Sequence, residues 1–151
     1  QYISWAKSVD GVGDAKCLPL WNGAGTVKVI IVDSEKQLAG SELINKVQSY
    51  IDEQCPIGAD VTVTTATTVS INVTFSADVD ESTIESIKAN IRNYLRDVSF
   101  ANGYVSYAKI GQTILNTDGV DDYSNLKINS KTENIAISET EIAVLGGVTV
   151  G

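Results

Sequence analysis

The sequence predicts an α+β fold in which mixed or antiparallel sheets carry about four helices on their faces. Three observations predict it. Thr26 to Asp33 (TVKVIIVD) is a nearly continuous β-branched run, the pattern of a strand covered on both faces and so central in its sheet. Val69 to Ala77 alternates strictly. Val69, Ile71, Val73, Phe75 and Ala77 share one face and Ser70, Asn72, Thr74 and Ser76 the other, the period of a half-buried strand. Two stripes have helical period: Leu43, Ile44, Val47, Tyr50 and Ile51, and later Ile84, Ile87, Ile91, Tyr94 and Leu95.

The remaining elements follow from local chemistry. Tyr2 to Val9 reads as a short helix, with Tyr2, Trp5, Ala6 and Val9 at helical spacing. Asp10-Gly11-Val12-Gly13 ends it, Gly11 being suited to the left-handed residue after a helix. A strand over Ala15 to Leu20 and a glycine-rich turn, Trp21-Asn22-Gly23-Ala24-Gly25, lead into the Thr26–Asp33 strand. Ser34 to Gly40 is a polar loop. The second helix spans Ser41 to Gln54 and stops at Cys55-Pro56, because the residue before proline resists the helical region. Ile57-Gly58 turns the chain into an alternating strand, Ala59 to Thr64, with Val61 and Val63 on one face. A threonine-rich join, Thr64 to Thr68, precedes the long alternating strand.

The third helix spans Glu81 to Asp97. Ser82 and Glu85 have capping-box spacing, and Asp80 lies near the positive helix end. Asn102-Gly103 is a turn. The fourth helix spans Val105 to Asn116, with Ile110 and Ile114 one turn apart, and Asp118-Gly119-Val120 ends it. Tyr123 to Asn129 and Glu133 to Ser138 read as a hairpin across Ser130-Lys131-Thr132. The tail, Glu141 to Val150, is apolar and β-prone around Gly146-Gly147.

These elements group into two α+β units. Residues 1–67 hold helix, hairpin, helix and strand; residues 68–151 hold strand, two helices, hairpin and C-terminal strand. The two can pack as one compact domain. A repeat is also legible. At a constant offset of 108 positions, Asp10, Gly11, Val12, Asp14 and Leu18 match Asp118, Gly119, Val120, Asp122 and Leu126. Leu20, Val27 and Val29 then match Ile128, Ile135 and Ile137. Duplication of a helix-Asp-Gly-Val-hairpin unit and coincidence of common local grammar both account for it.

Composition removes several function classes. Lys plus Arg is 11 and Asp plus Glu is 19, a net charge of −8, which argues against general binding of nucleic-acid backbone or of anionic membrane. The chain has no histidine, so histidine triads, histidine-bound zinc and histidine general bases are excluded. No apolar run approaches the roughly 20 residues of a membrane span, and no signal-peptide pattern is present. The chain has no methionine and begins at Gln1, which reads as a fragment or processed product. Cys17 and Cys55 cannot form a metal site alone, and reduced, buried thiols are expected over a bridge.

The local motifs favour structural roles. Asp118, Asp121 and Asp122 lack the spacing of a calcium loop and read as a solvated turn. Asp78, Asp80 and Glu81 sit where acids stabilise a helix start. Asp52-Glu53 has no basic partner nearby in sequence to make it a general-base pair. Gly11-Val12-Gly13 and Gly23-Ala24-Gly25 lack the strand and helix context of a phosphate loop. Asn72-Val73-Thr74 fits a glycosylation sequon but lies within a predicted strand. Catalytic, cofactor and metal residues are therefore assigned to none. Trp5 and Trp21 can anchor an interface or pack a core. The tail Ile142-Ala143-Val144-Leu145 is a hazard as a free edge, so it either packs in its own unit or pairs with a partner.

Read in order, the motifs resemble a family. Tyr2-Ile3-Ser4-Trp5-Ala6, Gly11-Val12-Gly13 and Trp21-Asn22-Gly23-Ala24-Gly25-Thr26-Val27-Lys28-Val29 leading to Val32-Asp33 are similar to the later part of baseplate J-like proteins. So are Ile51-Asp52 and Cys55-Pro56-Ile57-Gly58-Ala59-Asp60-Val61. Tyr107-Ala108-Lys109-Ile110, Ile114-Leu115-Asn116-Thr117, Gly119-Val120 and Asp122-Tyr123-Ser124-Asn125-Leu126 continue the match over nearly the whole chain. The resemblance implies a C-terminal fragment of a structural wedge of a contractile-tail baseplate, from a phage, prophage or related injection machine. It implies rearrangement on sheath contraction and a place in the virion tail after synthesis in the bacterial host cytoplasm. Its partners would be other baseplate proteins and further copies of itself, with no nucleic acid, membrane or small-molecule substrate. It brings no catalytic residue and no cofactor. The contact candidates are Trp5, Trp21, Tyr123, Ile142, Val144 and Leu145. Two competing classes remain: a secreted or surface adhesion module, favoured by a Cys17–Cys55 bond, and an enzyme fragment working through carboxylates.

Overall fold

A computed structural model describes residues 1–19, 21–55, 58–101 and 103–151, and in it the chain parts into two units between Thr67 and Thr68. The first unit runs α1 (Tyr2–Lys7), β1 (Val12–Pro19), β2 (Thr26–Asp33), α2 (Ser41–Gln54) and β3 (Asp60–Thr65). Its sheet has the order β1-β2-β3, so the continuous β-branched strand is central, as its composition predicts. β1 pairs with it antiparallel and β3 parallel, with α2 as the crossover between β2 and β3. Val29, Ile30, Ile31 and Val32 are all buried, which accounts for the lack of alternation in β2. The α2 stripe packs on this sheet: Val47 and Ile51 are enclosed with Ala6, Val29, Ile31, Val61 and Val63.

The second unit runs β4 (Thr67–Ser76), α3 (Glu81–Val98), β5 (Tyr104–Val105), α4 (Tyr107–Leu115), β6 (Ser124–Ile128), β7 (Ile135–Ala136) and β8 (Glu141–Val150). Its main sheet has the order β6-β4-β8, and β5 pairs with β7 in a separate small sheet. β6 is antiparallel to β4. Gly146 lies beside Ser70 and Asn72, and the Gly151 N–H donates to Phe75 O (2.9 Å), so β8 advances in the same direction as β4. The apolar face of β4 (Ile71, Val73, Phe75) meets Ile87, Ile91 and Leu95 of α3 and Ile110 and Ile114 of α4. This is the stripe-on-sheet arrangement that the two periodicities predict.

Several elements differ from the sequence expectation. The predicted hairpin does not form: β6 pairs with β4, and β7 pairs with β5. Asn129 (φ 50°) and Ser130 (φ 64°) instead make a two-residue turn, closed by reciprocal Ile128–Lys131 bonds of 2.9 Å. The chain leaves β6 there, because β6 is spent on shielding one side of β4. α4 begins at Tyr107 rather than Val105, which is fully buried in β5, and Ser106 caps the helix by accepting from Lys109 N–H (3.1 Å). Asp80 is the N-cap of α3, accepting from Thr83 N–H (2.8 Å), so the Ser82–Glu85 capping box is replaced; Glu85 pairs with Lys88 instead. α1 stops at Lys7, and Val9 is buried in the turn that follows. The threonine-rich join shrinks to Ala66, since Thr65 ends β3 and Thr67 opens β4. Of the repeat, the helix-glycine-strand half is matched in backbone, with Gly11 at φ 100° and Gly119 at φ 98°, whereas the hairpin half is not. The expectations at Leu20, Pro56, Ile57 and Asn102 lie outside the described residues.

Two predictions concern the second unit. Gly111 is buried in α4, and a Cβ there would clash with the Tyr123 hydroxyl. Helix propensity favours alanine over glycine by about 1 kcal/mol, but overpacking costs about 1–3 kcal/mol. Gly111→Ala is therefore expected to destabilise the wild type by about 1 kcal/mol. In a Tyr123→Phe background, where the clashing oxygen is gone, it should become stabilising; urea unfolding of the four chains checks the cycle. Asp80 is held below the usual carboxylate range, chiefly by the Thr83 backbone N–H and then by the Thr83 and Ser82 hydroxyls. A depressed folded-state pKa contributes stability that is present above the unfolded value of about 3.9 and lost as pH falls through the folded value. The stability gap between wild type and Asp80→Ala, followed by urea midpoints across acid pH, is expected to be constant near neutrality and to close below about pH 4.

Candidate functional site

The groups that could do chemistry are dispersed. Among the described residues no group of three or more His, Cys, Asp or Glu is placed to hold a metal ion, and no helix is long and apolar enough to cross a membrane. Cys17, on β1, and Cys55, at the end of α2, are both free and half-buried rather than fully buried. Burial pushes both thiols up, and the Asp52 carboxylate pushes Cys55 further, partly offset by a Tyr2 hydrogen bond. A raised thiol is a poor nucleophile at neutral pH. Asp14 is flanked by Lys36 (3.3 Å) and Lys7 (3.8 Å), a partly exposed pairing worth little to stability.

The contact candidates separate into distinct environments. Trp21 is 44% exposed, and the Lys28 ammonium from β2 stands 4.8 Å from its ring centroid. The turn that carries it is tied down by Thr26, whose hydroxyl donates to Gly23 O (2.7 Å) and accepts from Asn22 N–H (3.1 Å). The result is an exposed aromatic face backed by a cation. Trp5 is half-buried, edge-to-face with Tyr2 (5.5 Å), and packs on the first unit's core. Tyr123 is half-buried, edge-to-face with Phe75 (6.2 Å), and burial leads the effects that push its hydroxyl up.

The tail resolves differently along its length. Ile142 is 0% exposed, so it is a core residue and its candidacy as a surface contact is corrected. Leu145 packs against the core with Ala143, Val148 and Val150. The step from 145 to 148 breaks the period of two at Gly146-Gly147, the signature of a one-residue slip in the strand. Val144 is half-buried and lies outside that cluster. The tail therefore packs within its own unit, as β8 beside β4.

Among the described residues, four exposed apolar side chains escape the sequence reasoning: Ile3, Leu38, Tyr104 and Leu115, between 40% and 47% exposed. A signal for them exists in the phase. Ile3 is out of step with Tyr2, Ala6 and Val9, Leu115 follows Ile114, and Tyr104 precedes the buried Val105 in a strand. Leu38 lies in the predicted polar loop, where an apolar side chain has no core to enter.

Comparison with known proteins supplies what geometry alone does not. The chain matches the family model of the baseplate J-like central domain over residues 1–65 and that of the baseplate J-like protein C-terminal domain over residues 67–151. It is 38% identical to the phage-like element PBSX protein XkdT of Bacillus subtilis (strain 168), over 99% of this chain and 46% of that protein. It is 25% identical to baseplate protein gp47 of Escherichia phage Mu, over 97% of this chain and 44% of that one. The chain thus spans about half the length of these relatives. Its fold is that of a chain in the cryo-EM structure of the anti-feeding prophage baseplate, with a TM-score of 0.70 at 7% identity over 95% of this chain and 36% of that one.

The two tryptophans are expected to differ in what their loss costs. Trp21→Ala is expected to cost about 0.5–1 kcal/mol, the worth of one exposed cation–π contact. Trp5→Ala should cost about 2–3 kcal/mol, because it opens space beside Ala6 and Val9. Denaturant titration of both variants checks the contrast.

Proposed function

The chain belongs to the baseplate J-like family, and on that premise we propose that it is a structural part of a contractile-tail baseplate. The observation that carries this reading is the unbroken succession of central-domain and C-terminal-domain matches over residues 1–65 and 67–151. The baseplate names of the phage Mu relative and of the anti-feeding prophage neighbour support it.

The work proposed is contact and rearrangement rather than turnover. The chain would hold other baseplate proteins and further copies of itself in the virion tail, after synthesis in the host cytoplasm. Its contacts would repack when the sheath contracts, as packed interfaces switch between discrete arrangements. Trp21 with Lys28, and the exposed Ile3, Leu38, Tyr104 and Leu115, are the side chains proposed to meet partners. Val144, Trp5 and Tyr123 would contribute from the rim of their own cores. Large aromatic and aliphatic side chains of this kind dominate interface energetics.

The test is immunogold electron microscopy of sedimentable particles from the source bacterium after prophage induction, with an antibody raised against this chain. Label is expected at the sheath end distal to the head. Tails labelled well by a control antibody but bare at that end, with the antigen only in soluble or surface fractions, would overturn the proposal.

A further inference from the structure

The outer edge of β3 is occupied by a side chain. Asp60 turns its backbone toward β2, its N–H donating to Gly25 O (3.1 Å), so the backbone groups of Val61 and Val63 point away from the sheet. Gln48, on α2, takes both of them. Its Nε2 donates to Val61 O (2.9 Å), and its Oε1 accepts from Val63 N–H (2.8 Å). These are the two bonds that a residue opposite Thr62 would make in an added parallel strand. Nε2 also donates to the Asp52 carboxylate (2.9 Å), one turn further along α2. The nitrogen thus faces two acceptors and the oxygen faces a donor, which fixes the orientation of the amide.

The same device recurs in the second unit. Asn129 Nδ2 donates to Ser70 O (3.0 Å), and its Oδ1 accepts from Asn72 N–H (2.8 Å). It continues the β4 ladder beyond the point where the β6 backbone turns away. In both places one carboxamide spans the carbonyl of a strand residue and the N–H two residues on.

We propose that Gln48 is an edge guard, whose amide keeps β3 closed to strand addition by a second copy of this chain. β3 is Asp-Val-Thr-Val-Thr-Thr, with no proline and high strand propensity, and an uncovered edge of that composition is a template for pairing. Gln48 competes from within the molecule, tethered next to the groups it covers, so an incoming strand must displace it. The proposal stands independently of the baseplate assignment.

The test uses the 151-residue chain as wild type, Gln48→Met, Gln48→Ala and, as a control on the exposed neighbouring position, Ser49→Ala. Methionine keeps the length and helix propensity of glutamine without its amide. Amide exchange at Val63 is read by hydrogen–deuterium exchange at the dilute end of a concentration series, where sedimentation velocity shows every variant as a monomer, and mass is read by sedimentation velocity over the whole series. In both Gln48 variants, Val63 exchange is expected to rise about tenfold or more, the equivalent of one lost hydrogen bond. Mass should climb with concentration toward a dimer or beyond, above the curve shared by wild type and Ser49→Ala. A deprotected Val63 with the wild-type association curve would overturn the proposal, as would unchanged protection of Val63. Loss of the fold in both variants would also overturn it, making the amide a structural member instead.

Discussion

Both units depend on one constraint: a central strand must be paired on both edges and covered by a helix. β2 lies between an antiparallel β1 and a parallel β3, and β4 lies between an antiparallel β6 and a β8 that runs alongside it. Each central strand is followed by a long amphipathic helix, α2 or α3, whose stripe packs on the sheet. Burying one Val or Ile side chain contributes about 1.5–3 kcal/mol, so runs such as Val29 to Val32 and Ile71, Val73 and Phe75 dominate the stability of their units. The other elements are arranged to satisfy those strands. The short helices α1 and α4 lead, through Gly11 and Gly119, into the antiparallel edge strands β1 and β6. The half of the repeat that survives in the structure is thus the half that builds the antiparallel edge.

Legibility follows from how local each signal is. β2 and α2 have the bounds that composition and helical period predict, because continuous β-branching and a single apolar stripe act within one segment. Caps are less legible, since two candidates, Asp80 and Ser82, sit two residues apart. Asp80 outcompetes Ser82 because its carboxylate already accepts from Thr83 N–H, and the Ser82 hydroxyl then donates to that carboxylate (3.0 Å). The hairpin failed for a non-local reason. Alternation says that a segment is a strand but not which strand it joins, and the partner of β6 is far away in sequence (Val73 opposite Ile128). β5 and β7, two residues each, are too short to leave any periodic trace.

The candidate site was partly legible for the same reason. Of the aromatic candidates, Trp21 is exposed with a cation behind it, whereas Trp5 and Tyr123 are half-buried. The tail was misjudged at Ile142 because hydrophobicity does not say which side of a sheet edge is occupied. Ile142 is fully buried and lines, with Leu95, Val105 and Ile137, a cavity of only about 10 Å³, the size of a single water. The exposed residues that were missed fall one step out of phase with the core or, in the case of Leu38, in a loop. For the proposed work of contact, such positions carry more information than those within the stripe.

A chain proposed to work among copies of itself faces opposite demands on its sheet edges. Contacts must form where the assembly needs them, and strand pairing must be refused elsewhere. β1 meets the second demand by backbone means: a register irregularity between Val12 and Asp14, and a proline as its last residue, both poor substrates for ladder growth. β3 has neither. Its edge is met by a side-chain amide from the helix that already covers its face. The choice is chemically distinct. A bulge or a proline disables an edge permanently, whereas a glutamine covers it with bonds that one rotamer change releases. The sheet of the first unit thus has one edge closed by its covalent structure and one closed by a reversible contact.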